Sequence, residues 1–401
     1  MSSSAVTVRG SEKAGPSAER MADALARAFA LWRDRNYSRR VEAIAAIAQS
    51  AGYSVAMLDN SIDALLKPFS SDALKLMAGT AARPTEMVAG TLARPTVERP
   101  KRVGFIAAGN VAGAGIHEIA IALMAGAIVK IKTASAEPIF FAEFARTLAE
   151  IDREAGARVE VVHWSRARID LTAALIAECD LVVAYGDDST IASIHRPNVI
   201  GFGSRVSAAL VTDPSRIDRL AELIARDAAL FEQLGCLSPH HVFVVSPDGR
   251  AARDLAIRMS AAIESLAASM PPARIPMRDA ATIRQVRENA RWRAIAGEPV
   301  ELFEGCELEW TVVFEQTGSF KISPGFRTVH VTAVRDLAEF RDCIAPVSGR
   351  IEAMAVAGDD AEVEARAIHI PYVCAPGEMQ SPPIDWRHGG GAFLDLMVGA
   401  R

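Results

Sequence analysis

The sequence predicts an α/β protein in which a helical N-terminal region precedes two blocks of alternating strands and helices. Three observations predict this class. Apolar residues recur every three or four positions in the first 80 residues, short apolar runs alternate with helical patterns from about residue 103, and the alternation restarts after residue 237. Such alternation implies parallel sheets with helices on both faces.

The first 100 residues are expected to form a helical region that ends in a connector. Apolar positions from Met21 to Trp32 lie three or four apart, as one face of a helix requires, and the spacing recurs three more times before residue 80. Residues 93–102, ARPTVERPKR, hold two prolines and several charges, which is typical of a connector. Residues 1–16 are rich in serine and glycine and predict an irregular terminus.

A first α/β domain is expected over residues 101–232. Its apolar runs predict strands at 103–108, 127–131, 159–164 and 180–185. Helical patterns predict helices at 116–125, 138–154, 169–178 and 213–233, the last starting at DPS, a good capping sequence.

A second α/β domain is expected over residues 233–385. The pattern predicts strands at 242–245, 307–316 and 327–334, and helices at 249–268 and 281–296. A C-terminal segment, 386–401, follows. We interpret its Trp386-Arg387-His388 sequence as a packed turn, and a return of the segment to a subunit interface stays open.

Composition excludes some classes of protein. The 401 residues carry 44 Lys and Arg against 49 Asp and Glu, a net charge of −5, whereas a nucleic-acid binder needs a surplus of cations on one face. With 23% charged and 50% hydrophobic residues, the chain is expected to fold as a globular protein. We therefore expect no nucleic-acid partner.

The cysteines and the apolar runs predict where in the cell the protein is located. The five cysteines are an odd number without a CxxC pair, and the first 20 residues lack a secretory core, so we expect free thiols in the cytoplasm. The apolar stretch 103–129 is interrupted by five glycines and by Glu118, which argues against an integral membrane segment.

The usual cofactor and metal motifs are absent from the sequence. Glu118 stands where a GxGxxG fingerprint needs its third glycine, and Ile121 stands where an HExxH motif needs its second histidine. Phosphate-loop and GxSxG sequences do not occur. His240-His241 is expected on a strand, where neighbouring side chains point to opposite faces, and we predict no metal site.

Cys236 is the first candidate catalytic residue. It follows a predicted helix and Gly235 within EQLGCLSPHHVFVV, at the entry to the second α/β domain. Pockets form at domain junctions, and the amides of a loop or helix terminus favour a thiolate. The alternative from residue type alone is a small buried hydrophobic residue, since free cysteine is usually part of a core.

In its context this cysteine resembles the nucleophile of the aldehyde dehydrogenase superfamily. Phe243 and Val244 follow Cys236 at the superfamily's seven-residue spacing. Asn110 lies in AAGNVAG after the first predicted strand, and Lys132 ends GAIVKIK. The order of these features along the chain makes the resemblance more specific than any one of them.

Two further stretches resemble one branch of that superfamily, the LuxC-like acyl-CoA reductases, known as fatty-acid reductases. They are FGSRVSAALV, 202–211, and GEMQSPPIDWRHGG, 377–390. The resemblance covers most of residues 100–401. It implies an aldehyde-dehydrogenase-like fold, with a Rossmann-type cofactor domain and a catalytic domain that carries the nucleophilic cysteine.

The resemblance also implies roles for individual residues. Cys236 would attack a thioester carbonyl, while Asn110 and the backbone N–H of Cys236 would hold the oxyanion. Taken alone, Asn110 is a turn residue beside glycine. Cofactor-binding roles are implied for Lys132, Ser135, Gly186, Asp187 and Thr190.

NADPH is the expected cofactor, with NADH as the alternative. NAD users of the superfamily often carry a Glu three residues after the lysine, and here Ser135 occupies that position. A small hydroxyl beside Lys130 and Lys132 accommodates a 2′-phosphate, because ammonium groups pair well with dianions. The alternative for both lysines is a solvated strand end. Pro138 matches the superfamily's proline at the start of the next helix.

Two superfamily landmarks are missing. The Glu that activates the deacylating water in hydrolytic members aligns with Gly201, and 191–211 holds no carboxylate, so an S-acyl enzyme is expected to survive until hydride or thiol arrives. His117 and His195 are candidates for proton transfer or structural histidines.

The segment that binds the nicotinamide ribose in the superfamily is not recognisable either. Its expected neighbourhood, 321–331, offers Pro324 and Arg327 but no carboxylate.

The implied function is NADPH-dependent reduction of an acyl thioester, acyl-CoA or acyl-protein, to an aldehyde through an S-acyl-cysteine. The nearest alternative is an NAD(P)-dependent aldehyde dehydrogenase, and a cysteine acyltransferase or a non-catalytic acyl-carrying subunit are alternatives of other classes. Members of the family associate through their C-terminal regions, so a homo-oligomer is expected. A partner protein that supplies the acyl group stays open.

Overall fold

The structure is a computed structural model that describes residues 15–82 and 99–398. The expected irregular terminus and most of the expected connector lie outside these described residues. The helices are α1 (Ala18–Arg33), α2 (Ser38–Ala51), α3 (Val55–Leu66), α4 (Ser71–Ala82), α5 (Ile116–Met124), α6 (Phe140–Ile151), α7 (Arg153–Gly156), α8 (Ile169–Glu178), α9 (Asp188–Ile194), α10 (Ile217–Ala229), α11 (Arg250–Ser269), α12 (Met277–Ile295), α13 (Leu337–Ile344), α14 (Asp359–Ala367) and α15 (Ala392–Val398). The strands are β1 (Arg102–Ile106), β2 (Ile128–Thr133), β3 (Val159–His163), β4 (Leu181–Tyr185), β5 (Val199–Phe202), β6 (Val206–Val211), β7 (Pro239–Val245), β8 (Val300–Glu304), β9 (Thr311–Glu315), β10 (Thr328–Val334), β11 (Ile351–Ala357) and β12 (Tyr372–Cys374).

The chain forms two compact units. Unit 1 is built from the described residues up to Ala51, from Leu65–Ser204 and from Pro383 onward, and unit 2 from Gly52–Ala64 and Arg205–Pro382. Among the described residues, no single helix is long and apolar enough to cross a membrane, and only α2 and α3 taken jointly reach that length and composition.

Unit 1 contains a five-stranded parallel sheet in the order β3-β2-β1-β4-β5. The chain runs from β1 outward to β2 and β3, then returns to the other side of β1 for β4 and β5. The strand order therefore reverses between β1 and β4, and in open α/β sheets such a switch point is where ligands bind, outside the carboxyl ends of the strands.

Helix α1 shows why the N-terminal region is helical. Ser17 caps it, since its side chain accepts a hydrogen bond from the N–H of Arg20. The predicted face from Met21 to Trp32 is buried, and the Trp32 indole donates to the Thr147 hydroxyl of α6 at 3.1 Å. Each large apolar side chain buried this way contributes about 1.5–3 kcal/mol. The helical prediction for this region is confirmed.

Unit 2 contains a seven-stranded mixed sheet in the order β12-β11-β6-β7-β10-β9-β8. All neighbours are parallel except β8 and β9, which are antiparallel. Strands β6, β7 and β10 are buried along nearly their whole length, as expected of strands covered on both faces.

The units divide the chain after Ser204, whereas the sequence suggests a boundary between residues 232 and 233. The reason is that β6 pairs with both β7 and β11, so it belongs to the second sheet. The segment 205–232 thus contributes to the same unit as Cys236.

Two element predictions differ from the structure. The helix expected over 213–233 is α10, which starts four residues later because DPS forms a turn in which Asp213 accepts from the N–H of Ser215. It ends in a 3₁₀ turn, Leu230–Gln233. The strand expected over 307–316 begins only at Thr311, and Glu307 before it has a left-handed backbone, with φ 49°.

Candidate active site

The predicted cofactor residues and the predicted oxyanion donor Asn110 all belong to unit 1 and follow or end its central strands. Asn110 follows β1, Lys132 lies near the end of β2 with Ser135 just beyond it, and Gly186 follows β4. Because parallel strands end at the same edge of a sheet, the structure places these residues at one edge, beside the switch point between β1 and β4.

The loop after β1 approaches the loop after β2 closely. The N–H of Ala107 donates to the carbonyl oxygen of Lys132 at 2.9 Å. A Cβ atom on Gly109 would lie 2.9 Å from the Cβ atom of Ala134, so a glycine is needed there. Asn110 follows this contact and is exposed.

Lys132 and Lys130 have different surroundings. Lys132 is 7% exposed, and burial lowers the pKa of its ammonium, with no carboxylate of the described chain opposing that effect. Lys130 lies 2.9 Å from Glu178 and 3.4 Å from Glu160. Lys130 thus pairs with two carboxylates, whereas Lys132 has no carboxylate partner among the described residues.

The segment after β2 leaves Ser135 exposed and turns its acidic residue inward. Glu137 is 2% exposed, and its carboxylate accepts from the N–H groups of Ile139 and Phe140 at 2.8 Å. Burial raises the pKa of Glu137 against these hydrogen bonds. The helix begins at Phe140, two residues after Pro138, and the Glu137 carboxylate binds the N–H groups at its start.

Gly186, Asp187 and Thr190 form one turn between β4 and α9. The Asp187 carboxylate accepts from the N–H of Thr190 and from the Ser189 hydroxyl, both at 2.7 Å. These hydrogen bonds lower the pKa of Asp187 to about 2. The Asp187 side chain is exposed and serves as the cap of α9.

Gly201 has no room for the missing glutamate. A Cβ atom there would lie 2.2 Å from Cγ2 of Ile191, so any side chain would displace this neighbour. The two histidines considered for proton transfer also differ from each other. His117 is 4% exposed and packs against the Phe69 ring, whereas His195 is exposed at the end of α9.

A buried pair that the sequence does not predict joins the C-terminal segment to α5. Nδ1 of His388 lies 2.8 Å from the carboxylate of Glu118. The His388 ring stacks between Phe202 and Trp386, with centroid distances of 3.9 and 4.2 Å. The expected packed turn is present, and the glycines 389–391 after it all have positive φ. Three consecutive glycines are the signal in the sequence that indicates an unusual turn here.

Cys236 lies in unit 2, in a tight turn before β7. The N–H of Ser238 donates to the carbonyl oxygen of Gly235 at 3.1 Å, so Cys236 and Leu237 occupy the centre of the turn. The cysteine is half-buried. The Ser207 hydroxyl donates to the carbonyl oxygen of Cys236 at 2.6 Å.

Three left-handed residues precede this turn. Phe231, Glu232 and Gln233 have φ of 50°, 53° and 60°. A second left-handed run faces them at Gly325, Phe326 and Arg327, and the N–H of Phe326 donates to the carbonyl oxygen of Glu232 at 2.7 Å. Left-handed backbone costs non-glycine residues roughly 1–2 kcal/mol each, so the surroundings must stabilise these runs.

Buried side chains connect the two runs. Arg327 donates to the Glu232 carboxylate at 2.7 Å, and the two side chains are 0% and 1% exposed. The Gln233 amide donates to the carbonyl oxygens of Pro239 and Thr328 at 2.7 and 2.8 Å, and its oxygen accepts from the N–H of Thr328 at 2.7 Å. Arg327, expected near the nicotinamide ribose, is instead buried against Glu232.

The stretch after β12 contacts the end of the cysteine turn, at Ser238. Gln380 donates to the Ser238 hydroxyl at 3.1 Å, two residues beyond Cys236. The Asp227 carboxylate of α10 accepts from the N–H of Gly377 at 2.6 Å. Burial raises the pKa of Asp227 to about 7, although the hydrogen bonds oppose the shift. Residues 377–380, part of the stretch that resembles the acyl-CoA reductase branch, thus reach the end of the cysteine turn.

One protein-family model matches nearly the whole chain. The model described as "Acyl-CoA reductase (LuxC)" matches residues 14–400. The chain belongs to the LuxC family. A long-chain acyl-protein thioester reductase of Photobacterium phosphoreum is 24% identical to this LuxC-family chain over 321 residues, which cover 77% of the chain and 64% of that relative. The match therefore spans less than two thirds of the relative's length.

Solved aldehyde dehydrogenases share the fold of this LuxC-family chain. Aldehyde dehydrogenase 21 from Physcomitrella patens has a TM-score of 0.70 at 14% identity, covering 96% of this chain and 85% of that one. An NAD-dependent benzaldehyde dehydrogenase from Corynebacterium glutamicum has a TM-score of 0.67 at 18% identity, covering 92% and 84%. The expected aldehyde-dehydrogenase-like fold is confirmed.

No metal site emerges within residues 15–82 and 99–398, where no group of three or more His, Cys, Asp or Glu side chains is arranged to hold an ion. The five cysteines are free, and Cys179 is buried so that its thiol pKa is raised to about 12.

Proposed function

We propose that this chain reduces an acyl thioester, acyl-CoA or acyl-protein, to an aldehyde, with Cys236 as the nucleophile and NADPH as the source of hydride. The observation that carries the proposal is the half-buried Cys236 thiol in a tight turn whose peptide is hydrogen-bonded to Ser207, in a member of the LuxC family. A relative named as a long-chain acyl-protein thioester reductase supports the same substrate class.

Cys236 is proposed to act as a thiolate on the thioester carbonyl carbon. The tetrahedral adduct expels the thiolate of the carrier and leaves an S-acyl enzyme. The Asn110 amide and the N–H of Cys236 are the proposed donors to the oxyanion at this stage, and loss of one such donor costs about 10²–10³ in rate. A nicotinamide held by unit 1 would supply hydride for the acyl carbon. The thiohemiacetal alkoxide on Cys236 would then expel the Cys236 thiolate and release the aldehyde.

The residues of unit 1 fit a nucleotide with phosphate groups. Lys132 is a buried cation without a counterion among the described residues, and an anion such as a phosphate would compensate it. Ser135, Gly186, Asp187 and Thr190 lie at the same edge of the sheet and are proposed to complete the cofactor site. Asp187 and Thr190 contribute through the turn they hold.

NADPH is favoured over NADH by what lies beyond β2. Ser135 is small and exposed, and the only carboxylate nearby in sequence, Glu137, is buried as the cap of α6. No acidic side chain in this segment is therefore free to bind a ribose 2′-hydroxyl or to repel a 2′-phosphate.

Gly201 favours reduction over hydrolysis. A side chain at this position would collide with Ile191, so the general base of hydrolytic superfamily members has no place there. The S-acyl enzyme is expected to deacylate slowly in water. The cytoplasmic location, the homo-oligomer and the acyl-supplying partner stay predictions of the sequence.

The test is NADPH absorbance during incubation with acyl-CoAs from acetyl to palmitoyl and one aryl thioester, with the aldehyde trapped in parallel. We expect NADPH consumption matched by aldehyde, and none with Cys236→Ser. Thiol exchange without NADPH consumption would overturn the proposal in favour of acyl transfer, and oxidation of aldehyde to free acid would favour an aldehyde dehydrogenase.

A further inference from the structure

Ser207 ties the peptide of Cys236 to the central strands of unit 2. Its hydroxyl donates to the carbonyl oxygen of Cys236 at 2.6 Å and accepts from the N–H of Ala353 at 3.0 Å. Ser207 is completely buried, and the pairing of β6 with both β7 and β11 is irregular at this level. The Ser207 hydroxyl thus makes both hydrogen bonds at the level where the two strand pairings are irregular.

The backbone just before the turn carries a second buried contact, the Glu232–Arg327 ion pair. These residues stand in the two facing left-handed runs, and their charged groups meet at 2.7 Å without exposure to solvent. Since Glu232 is only four residues before Cys236, any change in its backbone conformation would move the turn.

We propose that Ser207 and the Glu232–Arg327 pair are positioning residues for the Cys236 thiol. The inference rests on the proposed function, in which this thiol attacks a thioester. Strained backbone persists only where its surroundings over-determine it, and such strain collects at functional sites. Nucleophilic attack requires the reacting atoms to lie about 3–3.5 Å apart, and a displacement of about 1 Å costs on the order of 10²-fold in rate.

Ser207→Ala is the direct test, because it removes one oxygen atom from a buried position. We expect kcat to fall at least tenfold with little change in KM, since the thiol is displaced but the substrate site is intact. Acylation of Cys236 by acyl-CoA without NADPH should slow by the same factor. Alkylation of Cys236 by iodoacetamide, a small reagent that needs no defined geometry, should change less than threefold.

Ser260→Ala is the matched control. Ser260 belongs to α11 of the same unit, is equally a buried serine, and donates to the carbonyl oxygen of Ile257 at 2.7 Å. Because it has no contact with the cysteine turn among the hydrogen bonds described, its loss should leave kcat within twofold of the wild type. An equal fall in both variants would overturn the positioning role of Ser207.

The double variant Glu232→Met/Arg327→Met tests the ion pair without leaving a lone buried charge. Replacing a buried pair by apolar side chains of similar size is often neutral for stability. We expect a melting temperature close to that of the wild type and acylation slower by about 10²-fold. Wild-type acylation in this folded variant would overturn the role of the pair.

These assays distinguish a failure of the positioning role from a failure of the proposed function. If the wild type acylates and reduces while the variants match it, only the positioning role fails. If the wild type shows no acylation of Cys236 by any thioester tested, the proposed function fails and the positioning role falls with it.

Discussion

Replacing His388 by glutamine removes the partner of a fully buried carboxylate. Glu118 lies in α5 with its carboxylate 2.8 Å from Nδ1 of His388. Burial alone would raise the pKa of Glu118, but the charge and hydrogen bond of His388, together with the charge of His117, lower the pKa from 4.5 to about 2. In the variant Glu118 stays buried, but most of the interactions that lower its pKa are removed.

The size of the effect follows from this shift. Each pKa unit corresponds to about 1.4 kcal/mol, so the pair stabilises unit 1 by about 3 kcal/mol at neutral pH. A carboxyl with a depressed pKa contributes stability above its unfolded pKa of 4.5, and that stability is lost as the pH falls toward 2. In His388→Gln the burial of Glu118 is no longer opposed by His388, so the pKa of Glu118 rises and the stability that its carboxylate contributes above pH 4.5 decreases.

The assay is urea unfolding of wild type and His388→Gln at pH 3, 4, 5 and 7. We expect the variant to be about 3–5 kcal/mol less stable at pH 7, the range for breaking a buried pair, and the difference to shrink as the pH falls below 4.5. Arg387→Gln is the control, since its exposed pair with Asp395 contributes at most about 1 kcal/mol. A difference that is independent of pH, or below 1 kcal/mol at pH 7, would refute the reasoning.

Four more predictions concern acid stability and the cofactor. Burial lowers the pKa of His240 and of His330 to about 4, so the folded chain resists protonation that the unfolded chain accepts near pH 6.5, and the melting temperature should fall as the pH drops from 6.5 toward 4. The raised pKa of Asp227, about 7, acts in the opposite direction, so Asp227→Asn should steepen that fall; an unchanged slope would count against the assignment. Ser135→Glu should raise the KM for NADPH at least tenfold and leave the KM for NADH lower than that for NADPH, as steady-state kinetics with both nucleotides would show. Lys132→Met should weaken NADPH binding at least tenfold by fluorescence titration while Cys236 is still acylated by acyl-CoA at the wild-type rate; slower acylation would mean that Lys132 serves the thiol instead.

The sequence predicts four of the five strands of the first sheet, because each of the four has its own apolar run, whereas the short strand β5 is missed. Strands β1 to β4 and helices α5 and α8 appear where periodicity places them. Strand β11, IEAMAVA, escapes prediction because alanine and methionine favour helices and its burial comes from β6 and β12 beside it. Strand β8, VELFE, is an antiparallel edge whose charges alternate with apolar residues.

A residue of the candidate site can be predicted from sequence only where its type and its spacing indicate a chemical role. Cys236 and Lys132 are marked by residue type and spacing, and both stand in surroundings that suit the proposed roles. The left-handed conformation of Phe231, Glu232 and Gln233 carries no such mark, because positive φ is expected of glycine and asparagine.

Long-range partners leave no local signal either. Glu232 and Arg327 are 95 residues apart in sequence, and Glu118 and His388 are 270 apart. Only the folded chain shows that each carboxylate has a buried partner. The same applies to Ser207, a small residue in an apolar strand that is bound to the peptide of Cys236.

The most direct test of the account is the mass of the intact protein after incubation with an acyl-CoA and no NADPH. We predict a gain equal to one acyl group, confined to the peptide that contains Cys236, absent in Cys236→Ser, and discharged as aldehyde when NADPH is added. Acylation at another of the five cysteines, or an acyl group on Cys236 that NADPH leaves in place, would contradict the account.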